Sequence, residues 1–444
     1  MKTRRNAVWF KILLIPMLLL SLFVQPATKT QAATDLGLTV DAAILIDAST
    51  GKILYEQNGY ESLGVASMSK MITEYILLDA IKAGDISWDQ KYQVTDYTYA
   101  ISQKRALSNV PLREDGSYTI RELYEAMAIY SANAATVAIA ETIAGSEKAF
   151  LELMGKKVES LGITDYTFVN STGLNNKDLQ GYHPEGTAED GENMMSAASI
   201  ALIAYHLLKE HPDVLDTAKV TEKTFREGTS DAIVMKNWNF MLPGLIYEYE
   251  GVDGLKTGTT DFAGHSFTGT AVRNDQRLIA VVMKAVDANG EGSYKARFDA
   301  TKKLFDYGFT QFSEQEVLPA GFVVEGNESI DVIKGKADTV NIATAEAISL
   351  MTTKDDVAKF TPTLFLDEEA LEAGVEKGTV VGKIVLEHAE GKDYGFIEGG
   401  DLTVDVVTTE NVERAGGISL FFAGVGSFFK NLWGGVTDFV GGIF

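Results

Sequence analysis

The chain of 444 residues contains no cysteine, only eight prolines and only five histidines. The absence of cysteine excludes disulfide frameworks, zinc–thiolate sites and cysteine nucleophiles. Positive charge is also scarce, because 39 lysines and arginines face 62 aspartates and glutamates, a formal net charge of −23. A chain this acidic repels nucleic acid, so we expect no nucleic-acid partner.

Some of the few positive charges are concentrated at the N-terminus. Basic residues within the first eleven precede a short apolar run at 12–24, and small residues follow at 30–32. This order is typical of an export signal, and the apolar run is too short to span a membrane comfortably. We therefore expect residues 1–32 to be a signal peptide. Its removal leaves 34 basic against 62 acidic side chains, a net charge of −28.

Hydrophobic periodicity predicts one mixed α/β domain at residues 35–312, because helix clusters are flanked by strand pairs. Thr119 and Glu122 form a capping box that should begin one of its helices. The expected elements are a β-hairpin at 42–59, a helix at 67–84, two helices interrupted near 131–133, a helix at 194–211, two or three strands within 251–286, and a helix at 296–309 that Gly308 closes.

Composition changes after Pro319 to short β-rich runs separated by turn residues, which predicts a small all-β domain at 315–410. The last stretch, 416–444, is rich in phenylalanine and glycine. At 100° per residue its large apolar side chains share one arc of about 140°. We expect an amphipathic helix that lies in a membrane surface; the alternative is a helix packed on its own domain. The apolar arc comprises Phe421, Phe422, Val425, Phe428, Phe429, Leu432, Trp433, Val436, Phe439, Val440 and Ile443.

The stretch "VASMSKM" places Ser67 and Lys70 three residues apart at the start of a predicted helix. This spacing puts both side chains on one helix face. A serine hydroxyl is a poor nucleophile without an adjacent base, and a buried lysine loses its proton more readily. Free N–H groups at a helix N-terminus can also stabilise developing negative charge. The pair therefore predicts a nucleophile and its base.

The spacing alone is weak, since S-x-x-K also occurs at Ser49 and at Ser427, and Ser67 taken alone is better explained as a helix cap. Two further motifs strengthen the prediction. Ser131-Ala132-Asn133 is the sole S-x-N of the chain, and Lys256-Thr257-Gly258 is its sole K-T-G. We expect Gly258 to permit a ligand to approach the backbone closely. The order S-x-x-K, S-x-N, K-T-G matches the serine acyltransferase set of penicillin-binding proteins and serine β-lactamases.

The resemblance extends beyond these three motifs. The segments "AAILIDASTGKILYEQN", "YSANAATVAIAE", "FVNSTGL" and "GVDGLKTGTTDFAGHS" are similar to the low-molecular-weight penicillin-binding proteins, the exported D-alanyl-D-alanine carboxypeptidases. The resemblance covers the mixed domain, the β-rich domain and the amphipathic tail. It implies a serine β-lactamase/penicillin-binding transpeptidase-like α/β fold and an enzyme that removes the terminal D-alanine from peptidoglycan stem peptides and is acylated by β-lactams.

The resemblance also implies a role for each matching residue. Ser67 is the expected nucleophile, Lys70 its general base, and Ser131 a proton relay to the leaving D-alanine. The backbone N–H groups of Ser67 and Thr259 would form the oxyanion hole. Asn133 would hydrogen-bond the substrate backbone and Lys70. Lys256 would hold the Ser131 hydroxyl in an electropositive field and, together with Thr257 and Arg297, bind the terminal carboxylate of the substrate. Two positions depart from the family, which often has threonine at Ser69 and glycine at Ala132, but neither removes a reacting atom.

Other functions stay open at this stage. Glu189 and Asn193 form an E-x-x-x-N pattern, with which a β-lactamase activates the deacylating water. A transpeptidase would use the same site residues with an amine acceptor, and a wall-binding scaffold could keep the fold. The chain contains no G-x-S-x-G motif, which argues against a Ser–His–Asp hydrolase. His206 and His211 fall on different helix faces and are expected at the surface, so we expect neither metal nor cofactor. The sequence thus predicts an exported D,D-carboxypeptidase at the outer face of the cytoplasmic membrane.

Overall fold

The structure, a computed structural model, describes residues 35–389 and 394–416. The predicted signal peptide at 1–32 and the predicted amphipathic helix, from 417 onward, lie outside the described residues. Among the described helices, none combines the length and the apolar character that crossing a bilayer requires.

Residues 35–311 alternate between helices and strands, as the hydrophobic pattern predicted. The helices are α1 (Lys70–Ala83), α2 (Asp96–Ser102), α3 (Ile120–Tyr130), α4 (Asn133–Ala144), α5 (Glu147–Ser160), α6 (Ala197–Glu210), α7 (Val214–Ala218) and α8 (Tyr294–Gln311). The strands are β1 (Ala42–Asp47), β2 (Ile53–Gln57), β3 (Leu63–Gly64), β4 (Lys91–Gln93), β5 (Ser117–Thr119), β6 (Met194–Met195), β7 (Glu222–Phe225), β8 (Ile233–Lys236), β9 (Val252–Thr260), β10 (Gly264–Arg273) and β11 (Gln276–Met283).

A five-stranded antiparallel sheet, ordered β2-β1-β11-β10-β9, forms the centre of this part. Successive side chains of β1 enter different cores: Ile44 packs with α6 on one face, and Leu45 packs with α8 on the other. Because both faces are covered, every residue of β1 is buried. This explains why the first five residues of the strand are an uninterrupted apolar run instead of an alternating one.

The helices beside the sheet surround α4, whose first eight residues are all buried. Small alanine side chains let its neighbours approach closely from every side. The predicted capping box at the start of α3 is confirmed, since Thr119 accepts from the backbone of Glu122 and the Glu122 side chain accepts from the backbone of Thr119. The two helices are interrupted at Ser131 and Ala132, as predicted. This break lies beside the candidate site.

The predicted end of the last helix at Gly308 is wrong, because α8 continues to Gln311. A Cβ on Gly308 would lie 2.5 Å from the Leu278 side chain and 2.9 Å from that of Leu45. Gly308 therefore does not end the helix but allows it to pack closely on the sheet. The helix predicted at 194–211 is confirmed with a later start, since residues 194–195 are a strand and Ser196 caps α6.

The chain then becomes all-β, which confirms the predicted change of class. Its strands are β12 (Ser313–Leu318), β13 (Ser329–Ile333), β14 (Thr339–Thr344), β15 (Ile348–Thr352), β16 (Phe360–Leu366), β17 (Ala370–Glu372), β18 (Val380–His388) and β19 (Leu402–Thr408). Six of them form a sheet ordered β16-β18-β19-β14-β13-β17 over an apolar core that includes Val340, Ile384 and Val404. The domain boundaries drawn from the sequence stay predictions.

One segment of the β-rich part pairs with the edge of the five-stranded sheet. The Ile53 N–H donates to the Gly395 carbonyl at 3.0 Å, and the Ile397 N–H donates to the Gly51 carbonyl at 2.8 Å. These bonds cover part of β2, which is otherwise an edge strand, and edge strands with unpaired backbone groups promote association.

Candidate active site

Ser67 lies in a single 3-10 turn, Ala66–Ser69, that leads directly into α1. The turn is held from both sides by glycines. A Cβ on Gly173 would lie 1.8 Å from the Ala66 carbonyl oxygen, and a Cβ on Gly258 would lie 2.8 Å from that of Val65. The expectation that Gly258 makes room for a ligand is therefore corrected, since the group that approaches it is the turn carrying Ser67.

Lys70 is the first residue of α1, and only 1% of it is exposed. Its Nζ lies 2.9 Å from Ser67 Oγ, 2.8 Å from Asn133 Oδ1 and 2.7 Å from the Thr172 carbonyl oxygen. Burial, reinforced by the nearby charge of Lys256, lowers the pKa of Lys70 well below its usual range. A neutral Lys70 amine in contact with Ser67 can accept the hydroxyl proton.

The third partner of Lys70 is positioned by the segment "NSTG" at 170–173. Asn170 Oδ1 accepts from the backbone N–H groups of Thr172 and Gly173, at 3.0 and 2.7 Å. This tight turn aims the Thr172 carbonyl at Lys70. Sequence reasoning gave this segment no role in the site, because its only local signal is the turn-forming pair of Asn170 and Gly173.

Ser131 occupies the break between α3 and α4 with φ of 60° and ψ of 31°. This left-handed conformation is uncommon for a residue other than glycine and is typical of residues at functional sites. Lys256 of β9 donates from Nζ to Ser131 Oγ at 2.9 Å. The sequence motifs S-x-N and K-T-G, 125 residues apart, therefore meet in one hydrogen bond.

Asn133 is 2% exposed and links its own S-x-N motif to Lys70 of the S-x-x-K motif. Its Nδ2 donates to the Ser108 carbonyl at 3.0 Å, which orients Oδ1 toward Lys70. The contact to Lys70 that the resemblance implied is thus present. Sequence reasoning did not predict Ser108 as a site residue, because it holds Asn133 through its backbone carbonyl and belongs to no recognisable motif.

Lys256 is also buried, and burial lowers its pKa to about 7. The buried Glu74, one turn after Lys70 on α1, opposes this effect, whereas the charge of Arg297 adds to it. Burial in turn raises the pKa of Glu74 to about 7. The site thus holds two lysines whose protons are released far more readily than in water.

Arg297 lies on α8 beneath the end of β9 and is 1% exposed. Its Nη1 donates to Thr259 Oγ1 at 2.9 Å and to the Gly258 carbonyl at 3.2 Å. Burial lowers its pKa to about 10, so the guanidinium stays charged at neutral pH. A buried positive charge with little water around it exerts a strong field on a bound anion.

All these elements open on a single cleft of about 90 Å³. It contains five of the eight residues that the sequence predicted for the site; Lys70, Asn133 and Lys256 lie behind it. The lining residues are Ser67, Ser108, Ser131, Trp238, Thr257, Thr259, Tyr294 and Arg297. Sequence reasoning missed Trp238 and Tyr294, because aromatic residues between strands and helices predict core packing as readily as a site.

Comparison with known proteins agrees with this geometry. The family model for D-alanyl-D-alanine carboxypeptidase matches residues 27–287, more than half of the chain. The chain belongs to the D-alanyl-D-alanine carboxypeptidase family. Members of this family are hydrolases, and this chain is therefore a hydrolase. A second model, the C-terminal domain of penicillin-binding protein 5, matches residues 312–414.

Individual relatives extend over most of the chain. The D-alanyl-D-alanine carboxypeptidase DacF of Bacillus subtilis is 29% identical over 94% of this chain and 98% of its own length. The structure of a peptidoglycan synthesis regulatory factor, PBP3 of Streptococcus pneumoniae, is 35% identical over 84% of this chain and 99% of its own, with a TM-score of 0.67. Penicillin-binding protein D2 of Listeria monocytogenes in its ampicillin-bound form is 30% identical over 62% of this chain and 100% of its own, with a TM-score of 0.50.

The glutamate expected of a β-lactamase takes no part in the site of this carboxypeptidase. Glu189 is exposed and is not among the residues that line the cleft. Asn193 is fully buried, and its side chain joins Ser69 to the backbone at Val169 and Asn170. Asn193 therefore supports the Ser67 turn and the "NSTG" segment instead of orienting a water molecule.

The expectation that His206 and His211 are surface residues is wrong for His211, which is 6% exposed. Its Nε2 lies 2.8 Å from Asp79 Oδ1, because α6 packs beside α1 and brings the two side chains together. Lys157 Nζ lies 2.8 Å from the other Asp79 oxygen. Asp79 therefore forms an ion pair with Lys157 of α5 and a hydrogen bond with His211 at the end of α6.

Proposed function

We propose that this carboxypeptidase removes the terminal D-alanine from peptidoglycan pentapeptide stems through an acyl-enzyme on Ser67, which limits cross-linking. The observation that carries the proposal is the double contact in one cleft, Lys70 to Ser67 at 2.9 Å and Lys256 to Ser131 at 2.9 Å. A serine beside a lysine of lowered pKa is an activated nucleophile. A second serine beside a second such lysine can move a proton to a leaving group.

The first chemical step forms the ester. Ser67 Oγ attacks the carbonyl carbon of the penultimate D-alanine, and Lys70 takes the hydroxyl proton. The backbone N–H groups of Ser67 and Thr259 stabilise the oxyanion. The C–N bond then breaks, and the proton passes through Ser131 to the nitrogen of the departing D-alanine. Water next attacks the ester carbonyl and gives a proton to Lys70. The bond between the acyl carbon and Ser67 Oγ then breaks, Lys70 returns the proton to Ser67 Oγ, and the shortened peptide leaves.

Binding of the substrate relies on the positive end of the cleft. The terminal carboxylate of the stem peptide lies against Thr257 and in the field of Lys256 and Arg297. Because Arg297 is almost fully buried behind Thr259, it acts chiefly through its field and by orienting Thr259. Asn133 holds Lys70 and contacts the substrate backbone.

β-Lactams mimic the D-alanyl-D-alanine end, so we propose that they acylate Ser67 and remain attached. The ampicillin-bound relative supports this part of the proposal. Glu189 is exposed and does not reach the cleft, so it does not activate a water molecule there. We therefore expect the penicilloyl ester on Ser67 to be hydrolysed slowly, in contrast to that of a β-lactamase.

The decisive experiment measures D-alanine release from a peptide ending in Lys-D-Ala-D-Ala, together with intact mass after incubation with penicillin. Wild type should release D-alanine and carry one stable penicilloyl group, and Ser67→Ala should do neither. An adduct without release would indicate a transpeptidase or a binding protein. Rapid penicillin turnover without an adduct would favour a β-lactamase.

We also propose that the enzyme is exported and lies on the outer face of the cytoplasmic membrane, attached through the segment 416–444. The basic start, the short apolar run at 12–24 and the one-sided apolar arc of the tail support this location. Deleting residues 416–444 should release an active enzyme into the soluble fraction. If the truncated mature protein still sediments with membranes, the anchor lies elsewhere.

A further inference from the structure

An aromatic row stands at one side of the cleft, and neither the proposed mechanism nor the family assignment gives it a role. The Trp238 ring lies between two tyrosines, 6.1 Å from the Tyr130 ring and 6.2 Å from the Tyr294 ring, with interplanar angles of 23° and 19°. Trp238 and Tyr294 both line the cleft. Tyr294 is 40% exposed, so part of its ring is open to solvent.

The position of Trp238 is fixed by its neighbours. Its Nε1 donates to the Tyr130 carbonyl at 3.1 Å. The flanking Asn237 and Asn239 are buried and bonded to the backbone, Asn237 to Ala218 at 3.0 Å and Asn239 to Gly254 at 3.2 Å. Because both sides of Trp238 are anchored, the indole cannot move aside easily to admit a larger group.

The row runs from one end of the proposed chemistry to the other. Tyr130 precedes Ser131, the proposed proton donor to the leaving group. At the other end, the Arg297 guanidinium carbon lies 4.9 Å from the centre of the Tyr294 ring. The aromatic wall, Trp238 and Tyr294, therefore borders the part of the cleft between the proton donor and the positive charge, where the terminal residue of the substrate would lie.

We propose that Trp238 and Tyr294 determine the specificity for the leaving residue, admitting D-alanine or glycine and excluding larger D-amino acids. This inference rests on the proposed function. Trp238, which its neighbours hold in place, and Tyr294 form one side of the cleft, so a leaving residue with a side chain larger than a methyl group would meet their rings. One extra methylene against an apolar wall changes kcat/KM by about 10- to 200-fold, and a steric clash with the Trp238 ring adds to such a difference.

The test compares two peptides, one ending in Lys-D-Ala-D-Ala and one ending in Lys-D-Ala-D-Leu, by kcat/KM for release of the last residue. Wild type should strongly prefer the first. Tyr294→Ala and Trp238→Ala should each raise the absolute kcat/KM for the D-leucine peptide by at least about fivefold. Trp238→Phe, which keeps a smaller ring, should give an intermediate value. Tyr60→Ala removes a 65% exposed aromatic that does not line the cleft and should leave both values unchanged.

Titration with a fluorescent penicillin counts the folded, acylatable molecules in each sample, so that misfolding of a variant is not read as specificity. If the variants release D-alanine but gain no activity on the D-leucine peptide, the wall does not select the leaving residue. The inference would also be contradicted if the ratio of the two kcat/KM values fell only because kcat/KM for the D-alanine peptide fell. If wild type releases no D-alanine at all, the proposed function itself fails, and this inference fails with it.

Discussion

The two parts of the molecule differ in which polar side chains they bury. Among the described residues, the part up to 311 buries ionisable groups, including Lys70, Glu74, Lys256 and Arg297, whereas the buried polar residues of the part from 313 onward are threonines. Burying a charged group is unfavourable unless an opposite charge or hydrogen bonds offset the loss of hydration. The four named here lie around one cleft, where reactivity takes precedence over stability.

The β-rich part follows the opposite principle. Along β13 the side chains alternate between exposed and buried, and the buried ones join one apolar core. Such a region gains stability from packing alone. If this contrast is correct, substitutions in the cleft should change activity far more than stability, and substitutions in the β-rich core should do the reverse.

The largest effect is expected for Ser67→Ala. Removing the nucleophile should lower kcat/KM for D-alanine release by roughly four to six orders of magnitude, because binding groups alone cannot form the ester. The free energy of unfolding should change little, since Ser67 is only partly buried. Parallel measurements of D-alanine release and urea unfolding check both. Residual release within tenfold of wild type would show that the nucleophile is another residue.

Lys70→Met should lower the acylation rate by roughly two to four orders of magnitude, the usual contribution of a general base. It should also raise the midpoint of thermal unfolding. The pKa of Lys70 is lowered by folding, so at neutral pH the unfolded chain binds a proton that the folded protein must release, and this opposes folding. Methionine of similar length removes that cost. A variant that is both inactive and less stable would contradict the view that this buried lysine is retained for reactivity.

A moderate effect is expected from pH. With a pKa of about 7, Lys256 should lose its charge as the pH rises above neutrality, and KM for the D-Ala-D-Ala peptide should rise over the same range. Lys256→Arg keeps a positive charge, so its alkaline limb should lie at higher pH whatever its overall rate. Profiles of kcat/KM from pH 5 to 10 for both proteins measure the shift. Superimposable alkaline limbs would assign that limb to a different group.

The smallest effect on catalysis is expected in the β-rich core. Ile384 is 1% exposed, so Ile384→Ala should destabilise this part by about 2–5 kcal/mol. Its kcat/KM for D-alanine release should stay within about twofold of wild type. Lys383→Ala, at the exposed neighbouring position of β18, is the matched control and should change neither quantity. A large loss of catalysis in Ile384→Ala at a temperature where the protein stays folded would show that the two parts are energetically coupled.

The sequence by itself determined the local arrangements. Ser67 and Lys70 share a helix face because three residues nearly complete one helical turn, and the capping box at Thr119 depends only on residues three apart. The apolar run of β1 and the change to β-rich composition after Pro319 likewise follow from patterns within the chain. For this reason the mixed α/β class and the pairing of Ser67 with Lys70 followed from the sequence pattern, whereas the roles of Ser131, Asn133 and Lys256 came from the resemblance to a known family.

Only the tertiary structure decided which distant groups meet. Thr172 contributes a carbonyl, which no side-chain motif records, and Trp238 reaches the cleft because two asparagines anchor the chain on either side of it. Gly258 proved to accommodate the Ser67 turn, and His211 became buried through the packing of α6 beside α1. Such contacts join residues far apart in the chain and depend on how helices and sheet pack, so periodicity and spacing could not reveal them.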